Sequence, residues 1–432
     1  MLFRSIEYTV EIRANPTITT SGSLSALCYS TNLQSATLNY SATTYTPTSY
    51  YVDWNASATI AGLTDQSSTA ASFLESGGAL TTINIPSSVL TGTYNGSLII
   101  SNSNGCSNTK AISILIKQLP VVSFDVDAGL NICQNSEVTY TTQSGKSNYQ
   151  WIPTGSLNTE YVITNGGLGT TNNTVSLKWL TTGSKTMQVN YTDVNSCTAA
   201  TNQNTTGTVN ALPTVTITKA ETSGTANNDA TICKGATITL SGGGASAYSW
   251  TGGISDGVIF SPTTTTTYTL MGTDINSCSN TLSQTVSVNV LPAKPAVTSP
   301  AICEGQTATI TAPSGVYTYT WTVPTGVAAP GNVNTFSTTK AGTYSVTITN
   351  SNSCTSDIGA GTVVVNTLPT KPTVTSPIIC EGQTATITTP SGVYTYTWTV
   401  PTGVTAPGNV NTFSTTKAGT YSVTITNSNS CT

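Results

Sequence analysis

The segments Tyr317-Thr-Tyr-Thr-Trp-Thr-Val323 and Thr343-Tyr-Ser-Val-Thr-Ile-Thr349 alternate large apolar side chains with threonine or serine. Successive side chains of a β-strand point to opposite faces, so this period of two predicts strands with one buried and one solvated face. A Pro/Gly/Asn-rich turn segment, Pro324–Asn332, lies between them. No stretch of the chain holds a convincing helical period. The pattern is typical of an all-β sandwich built from short strands.

The pattern recurs along the chain. Pro372–Thr432 repeats Pro295–Thr355, and the only differences are Ala296/Thr373, Ala301/Ile378, Ala312/Thr389 and Ala328/Thr405. Near-identical neighbouring modules indicate a tandem array. A strand followed by Leu-Pro ends each of the first four modules, and proline cannot continue a ladder, so we expect short, stiff joints. These joints contain Pro120, Pro213, Pro292 and Pro369.

We therefore predict an extended rod of five modules. The predicted boundaries are 1–15 for an N-terminal strand, then 16–118, 119–211, 212–290, 291–367 and 368–432 for modules 1 to 5. Module 5 resembles module 4 without its last strand, since the chain continues from Cys354 to Val363–Val365 but only Thr432 follows Cys431.

Composition excludes several classes of function. Charged residues make up 7% of the chain, the net charge is −4 and there is no histidine. This excludes a basic nucleic-acid footprint, and no apolar run is long enough for membrane insertion. A Ser/His/Asp or Cys/His apparatus is impossible without histidine, so we expect no enzyme and no cofactor. The segment Asp125-Val-Asp127 lacks the glycine and glutamate that a calcium loop needs at its sixth and twelfth positions, so no metal is expected.

Ten cysteines fall at regular places, two in each module. An even, modular count in a charge-poor chain predicts disulfides and an oxidising, extracellular compartment. Metal binding would require Cys-x-x-Cys spacing or histidine, and neither occurs. The candidate disulfide residues are Cys28, Cys106, Cys133, Cys197, Cys233, Cys278, Cys303, Cys354, Cys380 and Cys431.

Four shared features carry a resemblance: Ile302-Cys-Glu-Gly305, Tyr319-Thr-Trp321, Ala341-Gly-Thr-Tyr-Ser-Val-Thr-Ile348 and Asn352-Ser-Cys354. With them the chain resembles the tandem immunoglobulin-like, or PKD-like, repeats of large Bacteroidetes cell-surface proteins. That class includes gliding-motility adhesins and proteins exported by the type IX system. The resemblance covers essentially the whole chain. It implies immunoglobulin-like β-sandwiches, a secreted or cell-surface location and a role in presenting other domains.

The disulfide connectivity has two alternatives. Cys303 precedes the second strand and Cys354 follows the sixth, and in plain immunoglobulin topology these points lie at opposite ends of the sandwich. Either the bond lies within one module with a shifted strand, or it joins neighbouring modules. Pairing within a module is the default expectation.

The predicted function is a non-enzymatic stalk, adhesin or subunit of an extracellular bacterial fibre. The alternative is an array of glycan-binding modules carried by a larger secreted enzyme, with Trp179, the second tryptophan of its module, as a candidate surface contact. Surface glycans are then candidate partners. Asn-x-Ser/Thr acceptors for glycosylation occur at Asn39, Asn55, Asn95, Asn172, Asn190 and Asn204.

The two ends of the chain are complementary. The stretch Ser5–Arg13 places Ile6, Tyr8, Val10 and Ile12 on one face and resembles a last strand without its module. This strand of one chain could fill the vacant edge of Val374–Thr432 in the next, giving a head-to-tail homopolymer by β-strand addition. Alternatively the sequence is a fragment of a longer array, and further repeats of the same chain supply the missing strand.

Overall fold

The computed structural model of the protein describes residues 4–169 and 171–432. Contacts divide the chain into two compact units, Met1–Leu212 with Ile275–Cys278 and Pro213–Asp274 with Ser279–Thr432. Both consist of short strands joined by turns, as the period-two pattern predicts.

Module 1 lies in the first unit. One sheet has the order β2-β9-β8-β5-β6, and the pairs β3-β7 and β1-β4 complete the module. Its elements are β1 Thr17–Thr19, β2 Leu27–Cys28, β3 Gln34–Tyr40, β4 Ala42–Thr44, β5 Pro47–Trp54, the helix α1 Ala56–Ile60, β6 Gln66–Ala70, β7 Gly78–Ile85, β8 Gly92–Asn102 and β9 Ser107–Lys117.

Module 2, also in the first unit, is a sandwich of two four-stranded sheets. The sheet orders are β10-β12-β15-β14 and β11-β17-β16-β13. Its strands are β10 Phe124–Val126, β11 Asn131–Cys133, β12 Glu137–Thr142, β13 Ser147–Pro153, β14 Tyr161–Asn165, β15 Thr174–Trp179, β16 Gly183–Thr192 and β17 Gln203–Asn210.

Module 3 opens the second unit, although the turn Ile275–Cys278 groups with the first. Its sheets are β18-β20-β22 and β19-β24-β23-β21. The strands are β18 Thr216–Ala220, β19 Thr231–Cys233, β20 Ile238–Gly243, β21 Ala247–Trp250, β22 Ile259–Phe260, β23 Thr266–Thr273 and β24 Ser279–Asn289.

Module 4 pairs β25-β30-β29-β27 in one sheet and β26-β28 in the other, whereas module 5 contains only the pairs β31-β33 and β32-β34. The strands of module 4 are β25 Ala301–Cys303, β26 Ala308–Thr311, β27 Thr318–Thr322, β28 Thr335–Thr338, β29 Gly342–Thr349 and β30 Gly359–Asn366. Those of module 5 are β31 Ala385–Thr388, β32 Thr395–Thr399, β33 Thr412–Thr415 and β34 Ser422–Thr426.

A short parallel strand distinguishes modules 1 to 4 from a simple antiparallel sandwich. In each of them a strand of two or three residues ends at the module's first cysteine and lies beside the last strand. In module 4, Cys303 lies opposite Asn366, and the next residue, Glu304, donates its N–H to Asn366 O at 2.8 Å. The equivalent pairs are Cys28 with Lys117, Cys133 with Asn210 and Cys233 with Asn289.

A tyrosine fixes the corner at the start of β8, β29 and β34, in modules 1, 4 and 5. Tyr344 is fully buried, and its hydroxyl donates to Lys340 O, four residues earlier, at 3.0 Å. Tyr421 and Tyr94 make the same bond to Lys417 O and Leu90 O, at 2.8 and 3.0 Å. Such a tyrosine corner is a feature of immunoglobulin-like sandwiches.

The predicted alternation is confirmed in the core of module 4. Tyr319, Trp321, Tyr344, Val346 and Ile348 are all buried, and threonine or serine faces outward between them. Among the described residues, buried apolar side chains form five clusters, each within one predicted module. The module boundaries themselves and the rod shape stay predictions.

Thr389 is a core position at which modules 4 and 5 differ. Its hydroxyl is buried without a hydrogen-bond partner among the described residues, whereas module 4 has Ala312 at this position. An unsatisfied buried hydroxyl costs about 1–3 kcal/mol. We therefore expect Thr389→Val, which keeps the shape, to stabilise module 5 by about 1 kcal/mol. Native-state hydrogen exchange of the module 5 amides measures this.

Ala312→Thr is the matched control, because it introduces the same hydroxyl into module 4. It should lower the protection of the module 4 amides. Equal protection in both variants and the wild type would contradict the assigned cost of the hydroxyl.

Candidate assembly site

In modules 1, 2, 4 and 5 the turn that ends at the second cysteine is held by an asparagine or aspartate. In module 5, Asn427 Oδ1 accepts from the N–H groups of Asn429 and Cys431 at 3.0 and 2.9 Å. Ser430, immediately before the cysteine, has a left-handed backbone with φ of 62°. We call this arrangement, in which one side-chain oxygen accepts from the N–H of the second cysteine, the clip. It is also formed by Asn102, Asp193 and Asn350, which accept from the N–H groups of Cys106, Cys197 and Cys354. The clip fixes the second cysteine at the end of the module where its last strand begins.

The first cysteine lies at the other end of the module, where the last strand finishes. In module 4 this strand is Gly359–Asn366, and at about 3.3 Å per residue it spans roughly 26 Å. The two Cα atoms of a disulfide lie within about 7 Å of each other. Cys303 and Cys354 therefore cannot bond to each other.

The disulfides join neighbouring modules, so the default expectation of pairing within a module is wrong. Each bond links the first cysteine of one module to the second cysteine of the next, with Cα–Cα distances of 5.4–5.6 Å. The pairs are Cys28–Cys197, Cys133–Cys278, Cys233–Cys354 and Cys303–Cys431. Of the ten candidate cysteines in the described chain, Cys106 and Cys380 are free; Cys106 is half-buried and Cys380 is exposed.

The N-terminal segment lies against module 1 as a preceding last strand lies against the next module. Arg13 O is 3.8 Å from Cys106 Sγ, and Asn366 O is 4.0 Å from Cys431 Sγ. The residues that follow repeat a second contact. Asn102 Nδ2 donates to Ala14 O at 3.5 Å, as Asn427 Nδ2 donates to Thr367 O at 3.0 Å.

A third contact repeats at the joint between modules 1 and 2. The Arg13 guanidinium donates to Asn104 Oδ1, and Lys117 Nζ donates to Asn195 O at 2.7 Å. Lys117 ends the last strand of module 1, so Arg13 occupies the position of a residue that ends a last strand.

The predicted N-terminal strand has no ladder partner among the described strands. Its residues 4–15 are not in a strand, because none of those strands lies beside them, and residues 1–3 are outside the described chain. The four apolar side chains of the candidate assembly strand are 73–93% exposed. They are Ile6, Tyr8, Val10 and Ile12.

Module 5 has the complementary opening. Within residues 171–432 no strand pairs with the outer edge of β34, whereas β29 has β30 there in module 4. Val423 and Tyr421 are consequently half-buried, although Val346 and Tyr344 are buried. A groove of about 660 Å³ lies next to the start of β34, and its lining includes Val374, Ile378, Ile379, Cys380, Ile387 and Tyr421.

Charges are few around the joints. Partial burial raises the pKa of Asp193, but hydrogen bonds from the N–H groups of Cys197 and Asn195 outweigh it and hold the pKa below its ordinary value. Away from the clip, the Ser156 N–H and the Lys185 ammonium lower the pKa of Glu160.

The candidate glycosylation residues differ in accessibility. Asn190 is buried, and its Nδ2 donates to Ala199 O and Asn202 Oδ1 at 3.2 and 3.0 Å, so a glycan on that nitrogen would break both bonds. The other five side chains are exposed and stay predicted acceptors; they are Asn39, Asn55, Asn95, Asn172 and Asn204.

The interpretation of Trp179 as a surface contact is wrong. This side chain is fully buried, and its Nε1 donates to the Tyr140 hydroxyl at 3.3 Å. Burial also raises the pKa of Tyr140.

A groove of about 580 Å³ in the first unit is lined by apolar and uncharged residues, among them Tyr29, Leu119 and Pro120.

Residues 4–169 and 171–432 contain no cluster of three or more acidic, cysteine or histidine side chains that could hold a metal ion. The same residues contain no helix with the length and apolar character needed to span a membrane.

No protein-family model and no curated protein matches the chain. Solved structures similar to it include fibronectin(III)-like modules of Clostridium thermocellum CbhA, with 15% identity over 45% of this chain and 94% of that one and a TM-score of 0.22. A titin I-band fragment has 10% identity, 82% and 100% coverage and a TM-score of 0.25. A Ca2+-stabilized adhesin that helps an Antarctic bacterium reach out and bind ice has 12% identity, 82% and 100% coverage and a TM-score of 0.28.

The sheets of this chain define its fold class. Two facing sheets, a short strand parallel to the last strand and a tyrosine corner define the class. The protein is a tandem array of immunoglobulin-like β-sandwiches.

The Asp193 clip predicts that the stability of the folded chain depends on pH. Its folded-state pKa is depressed, so its stabilising contribution is present above the unfolded pKa of about 3.9 and is lost as pH falls through the folded value. Asp193→Asn supplies the residue of the other clips and does not titrate. We expect the unfolding temperature of the wild type to fall relative to this variant below about pH 4, measured by calorimetry of the oxidised chain.

Asn102→Asp is the reciprocal control and should acquire the same dependence in module 1. A difference between wild type and Asp193→Asn that stays constant from neutral to acidic pH would contradict the prediction.

Proposed function

We propose that the chain is a non-enzymatic extracellular structural protein, a repeat stalk or adhesive fibre subunit that assembles head-to-tail by β-strand addition. The observation that supports this most is the position of Arg13. It contacts Cys106 and Asn104 of module 1 as a residue ending a preceding last strand would, while the extended segment before it pairs with none of the described strands.

The strand of one copy fits the opening of another in a defined register. In module 4 the last strand lies between β25 and β29, with Val363 opposite Gly342 and Asn366 opposite Cys303. Transferred to module 5, this register places Val10 opposite Gly419 and Arg13 opposite Cys380. Val10 and Ile12 then replace the inward-facing Val363 and Val365, and Glu11 faces outward like Val364, which is 48% exposed.

Ile6 and Tyr8 depart from this template. They take the positions of Gly359 and Gly361, where any Cβ would overlap Pro295 O and Thr298 O of module 4. The corresponding residues of module 5 are Pro372 and Thr375, so the segment Pro372–Pro377, which includes one wall of the groove, must move aside for both side chains. This displacement is the main conformational cost of the assembly, offset by the ladder hydrogen bonds and by burial of the four apolar side chains.

The chemistry of the chain supports an extracellular setting. Disulfides persist in oxidising compartments, and each one here connects two modules. Polar but uncharged threonine, serine and asparagine dominate the outward strand positions, for example Thr318, Thr320 and Thr322. No observation favours the alternative glycan-binding array, because its candidate residue Trp179 lies in the core.

The test is assembly of the full chain carrying Cys106→Ser and Cys380→Ser, so that only non-covalent contacts act. We expect head-to-tail polymers in analytical ultracentrifugation and electron microscopy. Val10→Asp places an unpaired carboxylate in the core and should weaken assembly at least about 100-fold. A peptide of residues 4–16 should cap the vacant edge and shorten the polymers.

Glu11→Gln is the matched control, because residue 11 faces solvent in the proposed register. It should assemble like the parent chain. A parent chain that stays monomeric, or Val10→Asp and Glu11→Gln chains that polymerise equally, would overturn the proposal. So would native protein in which further residues of the same polypeptide occupy the edge of β34.

A further inference from the structure

We propose that Cys380 of one copy and Cys106 of the next form a disulfide that closes the head-to-tail junction. This inference rests on the proposed strand addition and identifies the partner as a second copy of this chain. It adds a covalent link between subunits, at two residues that the structure leaves as free thiols.

The existing disulfides give the rule from which the new bond follows. Every bond joins the first cysteine of one module to the second cysteine of the module that follows it. The rule leaves over the second cysteine of module 1 and the first cysteine of module 5. These are Cys106 and Cys380, the two thiols that the rule would join if module 1 of a second copy followed module 5.

The strand register brings these two thiols together without a further assumption. Within the chain, Asn366 lies opposite Cys303 and its carbonyl oxygen is 4.0 Å from Cys431 Sγ, so one residue adjoins both partners of the bond. Arg13 is already 3.8 Å, through its carbonyl oxygen, from Cys106 Sγ. Inserting the strand places Arg13 opposite Cys380, and so Cys380 beside Cys106.

Accessibility and local rigidity are suited to this reaction. Cys380 is exposed because the strand that covers Cys303 in module 4 is not beside it, and insertion of the neighbour's strand would cover it. Cys106 is held by its clip, since Asn102 Oδ1 accepts its N–H at 3.1 Å. Each thiol is therefore presented where the partner copy arrives.

The oxidation needs an electron acceptor, and a small-molecule disulfide such as oxidised glutathione suffices. The Cys380 thiolate displaces one glutathione thiolate and forms a mixed disulfide. The Cys106 thiolate of the neighbouring copy then attacks Cys380 Sγ, and the second glutathione leaves as thiolate. In total two protein thiols lose two electrons and two protons, and one glutathione disulfide becomes two glutathione thiols.

The test uses single-cysteine variants of the full chain in a glutathione redox buffer. Wild type should give a ladder of SDS-resistant multimers on non-reducing gels, and reduction should collapse it to monomer. Cys106→Ser alone and Cys380→Ser alone should give no covalent species. Their mixture should stop at a covalent dimer, because each variant supplies one thiol of the pair. Mass spectrometry of the unreduced dimer should find Cys106 linked to Cys380.

A displaced thiol is the control for random oxidation. Cys380→Ser with Ser391→Cys places an exposed cysteine in the turn between β31 and β32, at the opposite end of module 5, and should not restore the ladder. Restoration would overturn the inference. Non-covalent polymers whose Cys106 and Cys380 still react with iodoacetamide would overturn the disulfide and leave strand addition standing. Absence of any polymer from the double serine variant would instead remove the proposed function.

Discussion

The parallel pairing of a very short strand with the last strand in modules 1 to 4 determines the rest of the structure. It brings the first cysteine to the end of the module where the chain leaves, opposite Asn366 in module 4. The Asn or Asp clip holds the second cysteine at the end where the chain enters, as Asn427 holds Cys431. With the two cysteines separated by the length of a strand, bonding to a neighbour is the only geometry open to them.

In this arrangement the disulfides constrain the joints between neighbouring modules and not the interior of one module. In most small secreted domains a disulfide constrains the unfolded chain of the domain that contains it. Here Cys303–Cys431 constrains the joint between modules 4 and 5, and the module interior relies on its aromatic cluster and tyrosine corner. The near-identical modules 4 and 5 show which part of the core needs the last strand and which part does not. Removal of the last strand leaves Trp398 and Ile425 buried but opens the positions of Tyr421 and Val423.

The strand content and the core were predictable because period-two alternation acts locally. Tyr319 and Trp321 could be placed inward from the sequence alone, and the structure confirms them. Cysteine pairing was not predictable from order along the chain, because it depends on which end of a module each residue reaches. The clip motif, Asn350-Ser-Asn-Ser-Cys354, was the available signal, since an Asx turn fixes its cysteine beside the start of the last strand. The same alternation, through Val175, Leu177 and Trp179, was the available signal that Trp179 is buried. The burial of Asn190 depended on packing that no pattern in the sequence revealed.

The covalent connectivity has a mechanical consequence for a stalk or fibre. From Cys28 the shortest covalent route to Cys354 runs across one disulfide to Cys197, along the backbone to Cys233 and across a second disulfide. Only the last strand of module 2, the following linker and the first strands of module 3 lie on that route. An array pulled at its ends is therefore limited in extension even when sandwiches open, because the bypassed strands bear no load.

At a junction made by strand addition alone, tension is opposed only by hydrogen bonds and apolar contacts. A bond between Cys380 and Cys106 of the next copy would remove that weak point, because it supplies between subunits the link that every joint inside the chain already has.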